Sequence, residues 1–204
     1  MQQKWNERYK EPEFAFGKAP NLFFKEWLPK FTPGKILMPA DGEGRNGVFA
    51  ARLGWEVTSF DYSIEGQSKA LQLAKENEVM LEYIVGDFDD LHFEKEAFDA
   101  IGLIYAHFSA DKKPLFHRKL NEYLKPGGII ILEAFSSRHL YFNNLDPKVG
   151  GPKEIDMLYS EAEIKADFDN YDMLQLAEEE ILLNEGKYHI GKGAVIRFAG
   201  RKIR

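Results

Sequence analysis

Short apolar runs alternate with amphipathic stretches along the first two thirds of the chain, and that alternation sets the fold class. Residues 35–40, 56–60, 81–85, 98–105 and 129–135 have strand length, and the last two are nearly continuous in apolar side chains, as strands buried on both faces should be. The stretches between them carry a helical period. Val48, Phe49, Ala50 and Leu53 predict a helix closed by Gly54 as its C-terminal cap. Ser63 is placed to cap a helix over 64–77 with Leu71 and Ala74 on one face. Ser109 opens another, with Phe116, Leu120, Tyr123 and Leu124 inward, stopped by Lys125-Pro126-Gly127-Gly128. Strand alternating with helix predicts a doubly wound parallel sheet with right-handed crossovers.

The two ends depart from this rhythm. Residues 1–18 carry Trp5, Tyr9, Phe14, Phe16 and Gly17 without a clean period, which predicts an irregular segment packed on the body by its aromatics. Pro20 fits a first helical turn, followed by an apolar stripe of Leu22, Phe23, Trp27 and Leu28. From 136 to about 158 no period holds; so long a structureless stretch is more often functional than idle, and Gly150-Gly151 is a candidate hinge for a lid over a ligand. Ser160-Glu161-Ala162-Glu163 spells a capping box for a short helix reaching Phe168. Residues 172–183 and 194–202 read as two strands of an antiparallel hairpin joined through Gly186 and Gly191, with Glu178-Glu179-Glu180 a solvated face.

The chemistry concentrates where the first strand turns into the first helix, at Ala40-Asp41-Gly42-Glu43-Gly44-Arg45-Asn46-Gly47. Glycines at 42 and 44 remove Cβ atoms, so backbone N–H groups at a helix N-terminus can approach a ligand closely. Asp61 follows Gly44 by seventeen residues, at the carboxyl end of the second strand, where this kind of fold places a ribose acceptor. The letters also satisfy Gly-x-Gly-x-x-Gly, so a nicotinamide-dependent oxidoreductase is the rival reading. Tyr188-x-x-x-Lys192 imitates a dehydrogenase pair, but Gly186, Gly191 and Gly193 around it argue against the helix such a pair needs. A dinucleotide also calls for a second mononucleotide-binding half, and the chain after the fifth strand offers a loop and a hairpin instead.

Composition narrows the classes. A chain of 204 residues suits one domain over 1–204, with 1–34 a cap segment and helix and 35–204 the core. With no cysteine, thiolate nucleophiles and Cys-ligated zinc are excluded, and no cluster suggests another metal. The net charge of −6 argues against a nucleic-acid partner. No run is apolar enough to span a membrane and the N-terminus is too polar for a secretory signal, so a cytoplasmic location is expected.

Residues 36–46 with Asp61-Tyr62-Ser63, Gly86-Asp87-Phe88, Leu124-Lys125-Pro126-Gly127-Gly128 and the C-terminal Glu185-Gly186-Lys187-Tyr188-His189 through Val195-Ile196-Arg197-Phe198 resemble class I S-adenosylmethionine-dependent methyltransferases. The nearest likeness is to the tellurite-resistance and thiopurine methyltransferase-like group, and it includes the opening Trp5-x-x-Arg8-Tyr9. The resemblance implies a Rossmann-like seven-stranded sheet, mostly parallel with an antiparallel last strand, and S-adenosylmethionine as cofactor. By position it implies that the turn Asp41, Gly42, Glu43 and Gly44 holds the methionine part, that Asp61 holds the ribose hydroxyls and that Asp87 lies near the adenine, with Arg45, Asn46, Tyr62, Ser63, Gly86, Phe88 and Tyr105 also among the cofactor-binding residues. Met38 and Ala40 stand where the family often has Asp and Gly.

The expected function is methyl transfer to a small-molecule acceptor by direct displacement, in a monomer or homodimer. A catalytically silent cofactor-binding protein stays open as an alternative, because fold alone does not establish chemistry. His189 and Arg197 on the hairpin, with Tyr188 or His107 nearby, are the candidates for orienting the acceptor, and a guanidinium there favours a compact anion. Tyr105-Ala106-His107-Phe108 replaces the Asn-Pro-Pro-Tyr type of sequence, which weakens a role on the amines of nucleic-acid bases.

Overall fold

A computed structural model describes residues 2–203 and contains one seven-stranded sheet flanked by helices. Strands β1 (Lys35–Pro39), β2 (Glu56–Asp61), β3 (Glu82–Val85), β4 (Phe98–Ile104), β5 (Leu124–Phe135), β6 (Tyr171–Glu185) and β7 (His189–Lys202) lie in the order β3-β2-β1-β4-β5-β7-β6. The pairs among β1 to β5 are parallel, and β7 runs antiparallel to both β5 and β6. The expected Rossmann-like, mostly parallel sheet with an antiparallel last strand is therefore present.

Helices α2 (Leu22–Trp27) and α3 (Arg45–Arg52) cover one face, where Phe23, Phe24, Leu28, Ala50 and Trp55 pack on Ile36, Met38 and Ile131. Helices α5 (Lys113–Tyr123) and α7 (Glu161–Asp167) cover the other, where Phe116, Leu120, Ile164 and Phe168 meet Phe60, Leu132 and Phe198. Helix α4 (Ile64–Glu76) joins α3 through Val48, Leu73 and Ala74. Two expected caps are present in detail: Gly66 N donates to Ser63 Oγ at 3.1 Å, and Gly54 takes φ +89° just past α3.

Several expectations change. Residues 2–9 form a helix, α1 (Gln2–Tyr9), rather than an irregular segment; its aromatics point at the protein body, so tertiary packing supports a helix with no apolar period of its own. Asn21, not Pro20, starts α2, its side chain accepting from Phe24 N at 3.0 Å. Leu22 points to solvent while Phe24 is buried, and the inward face of α4 is Ala70, Leu73 and Ala74, with Leu71 exposed. Helix α5 begins at Lys113 rather than at Ser109, with Pro114 in its first turn. Lys125-Pro126-Gly127-Gly128 lies inside β5 as a bulge: Leu124 pairs with Phe98, the next pairing is Ile129 with Ala100, and Gly127 has φ +78°.

The region 136–158 is not structureless. It holds α6 (His139–Leu145) and two short 3-10 turns at Pro147–Val149 and Ile155–Met157. No side chain caps α6, and Asn143 and Asn144 within it are weak helix formers, so it left no signal in the sequence. Nor is Gly150-Gly151 poised as a hinge: the Gly150 carbonyl accepts from His139 Nε2 at 3.0 Å and from the Asn143 amide. The hairpin is longer than expected. Pairing continues to Glu185 with His189 around a tight turn at Gly186, and Gly191 lies inside β7. The Glu178-Glu179-Glu180 run is not a purely solvated face either, because Glu179 pairs with Arg197 and Glu180 with Arg138.

Candidate active site

Neighbouring strands β1 and β4 send the chain in opposite directions across the sheet, and a doubly wound sheet binds ligands in the crevice outside the carboxyl ends of such strands. Both ends carry backbone strain. Ala40 after β1 and Tyr105 after β4 have φ of +53° and +52°, a conformation that costs a non-glycine residue about 1 to 3 kcal/mol and persists where the surroundings impose it. Beyond Ala40 the chain makes its glycine turn, with Gly42 and Gly44 at φ +55° and +80°. A Cβ on Gly42 would lie 2.6 Å from the Tyr9 hydroxyl, and one on Gly44 would lie 2.5 Å from Ala70 Cβ. Side chains are excluded there because α1 and α4 close on the turn.

The acid at the end of β2 organises this turn. Asp61 accepts from Gly42 N at 3.1 Å and from Ser63 N at 3.0 Å, and burial raises its carboxyl to about 6 despite those bonds. A backbone N–H of Tyr62 also lowers it, and a carboxylate has about four acceptor sites, so acceptor capacity remains for a vicinal diol. Next to it Tyr62 donates to Asp87 at 3.1 Å, and Gly86 N donates to the Asp61 carbonyl at 3.0 Å. Glycine-lined amides beside an acid at a strand end fit the nucleoside and amino-acid parts of S-adenosylmethionine, with Gly42 to Gly44, Asp61, Tyr62, Asp87 and Tyr105 as the residues that would hold it.

Other expected ligands have side chains committed elsewhere. Asp41 turns under α3, accepting from Ser59 Oγ at 2.8 Å and Gly47 N at 3.3 Å; burial lifts it to about 7. Glu43 accepts from Ala15 N and pairs with Lys69, both at 2.7 Å. Arg45 pairs with Glu185 at 3.0 Å and donates to the Phe16 carbonyl, while Asn46 accepts from Asn21 N at 2.9 Å. These three strap residues 15–21 onto the turn, and only their backbone borders it. Ser63 caps α4 and donates to Asn6 at 2.6 Å, and Phe88 is a core residue stacked on Phe60.

On the far side of the crevice His189 sits in an aromatic box, with ring centroids of Phe16 and Tyr105 each at 4.6 Å and of Phe135 at 5.1 Å. Its Nδ1 meets Glu185 at 3.0 Å, and among the described residues nothing bonds Nε2. Burial alone would raise Glu185, but His189 and Arg45 hold it down at about 2; burial pushes His189 below its ordinary value even though Glu185 pulls the other way. The imidazole is therefore neutral near pH 7 and its orientation is set by a carboxylate.

Arg197 is committed to two acids. Its Nε donates to the buried Glu133 at 2.6 Å and its other arm to Glu179 at 2.7 Å, so two carboxylates already neutralise it; Glu133 also takes the Tyr105 hydroxyl at 2.7 Å and Asn21 Nδ2 at 2.6 Å. His107 is likewise committed, with Nδ1 donating to the Met157 carbonyl at 3.0 Å and Nε2 accepting from Phe135 N at 3.3 Å. Burial lowers it to about 3. A buried imidazole with a folded-state value below the unfolded one adds stability above pH 6.5 that is lost as pH falls towards 3. Denaturant titrations at several pH values should therefore show His107→Gln flattening the pH dependence of stability between about 3 and 6.5.

Asn6, Tyr9, Asn21, Glu133 and Glu185 contact the candidate residues and are not among the expected set. Glu133 left the plainest signal, a lone acid within the apolar run 129–135, and Asn21 the next, a capping residue directly before an apolar helix.

Comparison with known proteins places this geometry. A methyltransferase-domain family model matches residues 36–128, from β1 to the bulge of β5. An uncharacterised methyltransferase, YbaJ of Bacillus subtilis, is 29% identical over 108 residues, 52% of this chain and 42% of that protein. A glycine/sarcosine N-methyltransferase of Aphanothece halophytica is 26% identical over 170 residues, covering 76% of this chain and 63% of its own. The chain thus spans less than two thirds of the length of these two relatives. Among solved structures, one concerned with conversion of a disulfide bond into a thioacetal group in echinomycin biosynthesis aligns with TM-score 0.76 at 17% identity, over 99% of this chain and 92% of that one. TehB of Haemophilus influenzae aligns at 0.72 and 17%, over 98% and 66%. No helix among the described residues is long and apolar enough to cross a membrane. Glycine turn, Asp61 and sheet order all fall within or beside the matched segment, and residues 36–128 are similar to a methyltransferase domain.

Proposed function

We propose that the protein transfers a methyl group from S-adenosylmethionine to a small-molecule acceptor that sits against His189. The observation that carries this reading is the aromatic box of Phe16, Tyr105 and Phe135 around His189, beside the glycine turn and roofed by the N-terminal segment. The cofactor supplies a methyl on a sulfonium, whose charge disperses as the methyl leaves. The chain's task is then alignment in a dry site, which can lower a barrier by about 7 to 11 kcal/mol in favourable systems. Asp61 and the glycine turn fix the nucleoside end, and the rings exclude water. His189 Nε2, its ring held by Glu185, takes a proton from an acceptor that must lose one.

The names of relatives support a small acceptor, since one acts on glycine and sarcosine and another structure concerns a disulfide becoming a thioacetal. Likeness to the tellurite and thiopurine group remains part of this proposal, supported by the alignment with TehB. The case for an anionic acceptor no longer rests on Arg197, which its two carboxylates already satisfy. The oxidoreductase reading loses its second nucleotide-binding half, because β6 and β7 form a hairpin where a further strand-helix-strand unit would stand.

Thermal denaturation tests the proposal's footing. S-adenosylhomocysteine at about 100 times its dissociation constant should stabilise the fold by about 2.7 kcal/mol, while NAD and NADP leave the midpoint unmoved. Stabilisation by a nicotinamide dinucleotide and not by the homocysteine nucleoside would overturn it.

A further inference from the structure

Among the described residues, four cations around the site are paired with acids. Arg45 has Glu185, Lys69 has Glu43, Lys187 has Glu11 and Glu13, and Arg197 has Glu133 and Glu179. Arg8 on α1 has no carboxylate within salt-bridge distance among the described residues. Its guanidinium instead lies against three rings, 4.3 Å from the Tyr188 centroid, 5.0 Å from Trp5 and 6.0 Å from Phe16.

Position gives this pairing gap a meaning. Arg8 precedes Tyr9, whose hydroxyl lies against Gly42 of the cofactor turn, and two of its rings lead to the other half of the site: Phe16 touches His189, and Tyr188 is its chain neighbour. Arg8 thus stands where the glycine turn and the His189 box meet. Aromatic faces cover the plane of a guanidinium and desolvate it, leaving the N–H groups along its edge. That edge matches a carboxylate through two parallel hydrogen bonds, and low local dielectric makes such a pair stronger than on an open surface.

We propose that Arg8 receives the carboxylate of an amino-acid-like group bound in the site. This rests on the methyltransferase reading and adds a substrate feature to it. The carboxylate can belong to the methionine part of the cofactor or to the acceptor, and the two sources separate by experiment.

The test uses the full chain and the variants Arg8→Gln and Arg8→Lys, titrated calorimetrically with S-adenosylhomocysteine and with 5′-methylthioadenosine, which has no carboxylate. If the cofactor supplies the group, Arg8→Gln should weaken the homocysteine nucleoside about tenfold to a hundredfold and leave methylthioadenosine unchanged, with Arg8→Lys between. If the acceptor supplies it, both nucleosides bind Arg8→Gln normally. Glycine or acetate titrated into the S-adenosylhomocysteine complex should then bind the natural chain at least tenfold better than the variant. Unchanged binding of all four probes overturns the inference, and so does equal loss of both nucleosides, since either leaves Arg8 as a staple for α1. Failure of the natural chain to bind either nucleoside would instead fall on the methyltransferase reading, and the inference would go with it.

Discussion

Replacing Asp61 by alanine is expected to weaken S-adenosylmethionine about tenfold to a hundredfold, measured by calorimetric titration. The carboxylate would give charge-assisted hydrogen bonds to the ribose hydroxyls, each worth about 1.5 to 3 kcal/mol. It also accepts from Gly42 N and Ser63 N, so its loss loosens the glycine turn and the start of α4 together. Asp61→Asn separates these contributions. The amide oxygen can still accept from the backbone N–H groups on one side, while its NH2 group faces a donor on the other and lacks the charge for the diol, so asparagine should recover part of the thermal stability without recovering affinity. Burial at about 6 sets the pH direction: affinity should fall as pH drops below that value and the carboxylate gains a proton. An Asp61→Ala protein that binds the cofactor as tightly as the natural chain would remove Asp61 from the site.

The second large effect concerns turnover. His189→Ala should lower kcat by about a hundredfold to ten-thousandfold on an acceptor that must lose a proton, the usual range for a positioned general base, while cofactor affinity stays nearly constant. In the natural chain the acid limb of kcat/KM should lie below pH 6.5, because burial depresses the imidazole. Glu185→Gln removes the negative charge that draws a proton to His189, so that limb should move to still lower pH as the rate drops. Glu185 also pairs with the buried Arg45, and breaking such a pair is costly, so the variant should lose stability as well. The displacement of the pH limb is the part that a purely structural Glu185 would not produce. A His189→Ala enzyme with full turnover would place the proton's destination elsewhere.

The parts of the fold written in local pattern were legible. The five parallel strands, the caps at Ser63, Gly54 and Ser160 and the antiparallel end all follow from short-range rules, and each is present. Helices α1 and α6 were illegible because α1 has no clean apolar period and α6 has no capping side chain; each is held by contacts with distant elements, α1 with α4 and α6 with β7. The same divide runs through the site. The glycine turn and Asp61 were readable because backbone geometry forces those residue types at those places. Which way a charged side chain turns is decided by its partners. Arg197 looked like an orienting cation, yet Glu133 and Glu179 claim it from the strands on either side, and His107 spends both nitrogens on backbone. Arg45 and Asn46, in the best-matched motif, turned out to anchor the N-terminal segment. A motif marks where polar groups are needed without saying which of them meet the ligand and which hold the wall.

The most direct measurement follows the methyl itself. Protein mixed with methyl-labelled S-adenosylmethionine and panels of small amines, small thiols, nucleic acid and protein should form S-adenosylhomocysteine and move label into a small molecule. The polymers should stay unlabelled, and His189→Ala should slow the transfer without abolishing cofactor binding. Label moving only into nucleic acid or protein, or nucleoside bound with no transfer to any acceptor, would contradict the account.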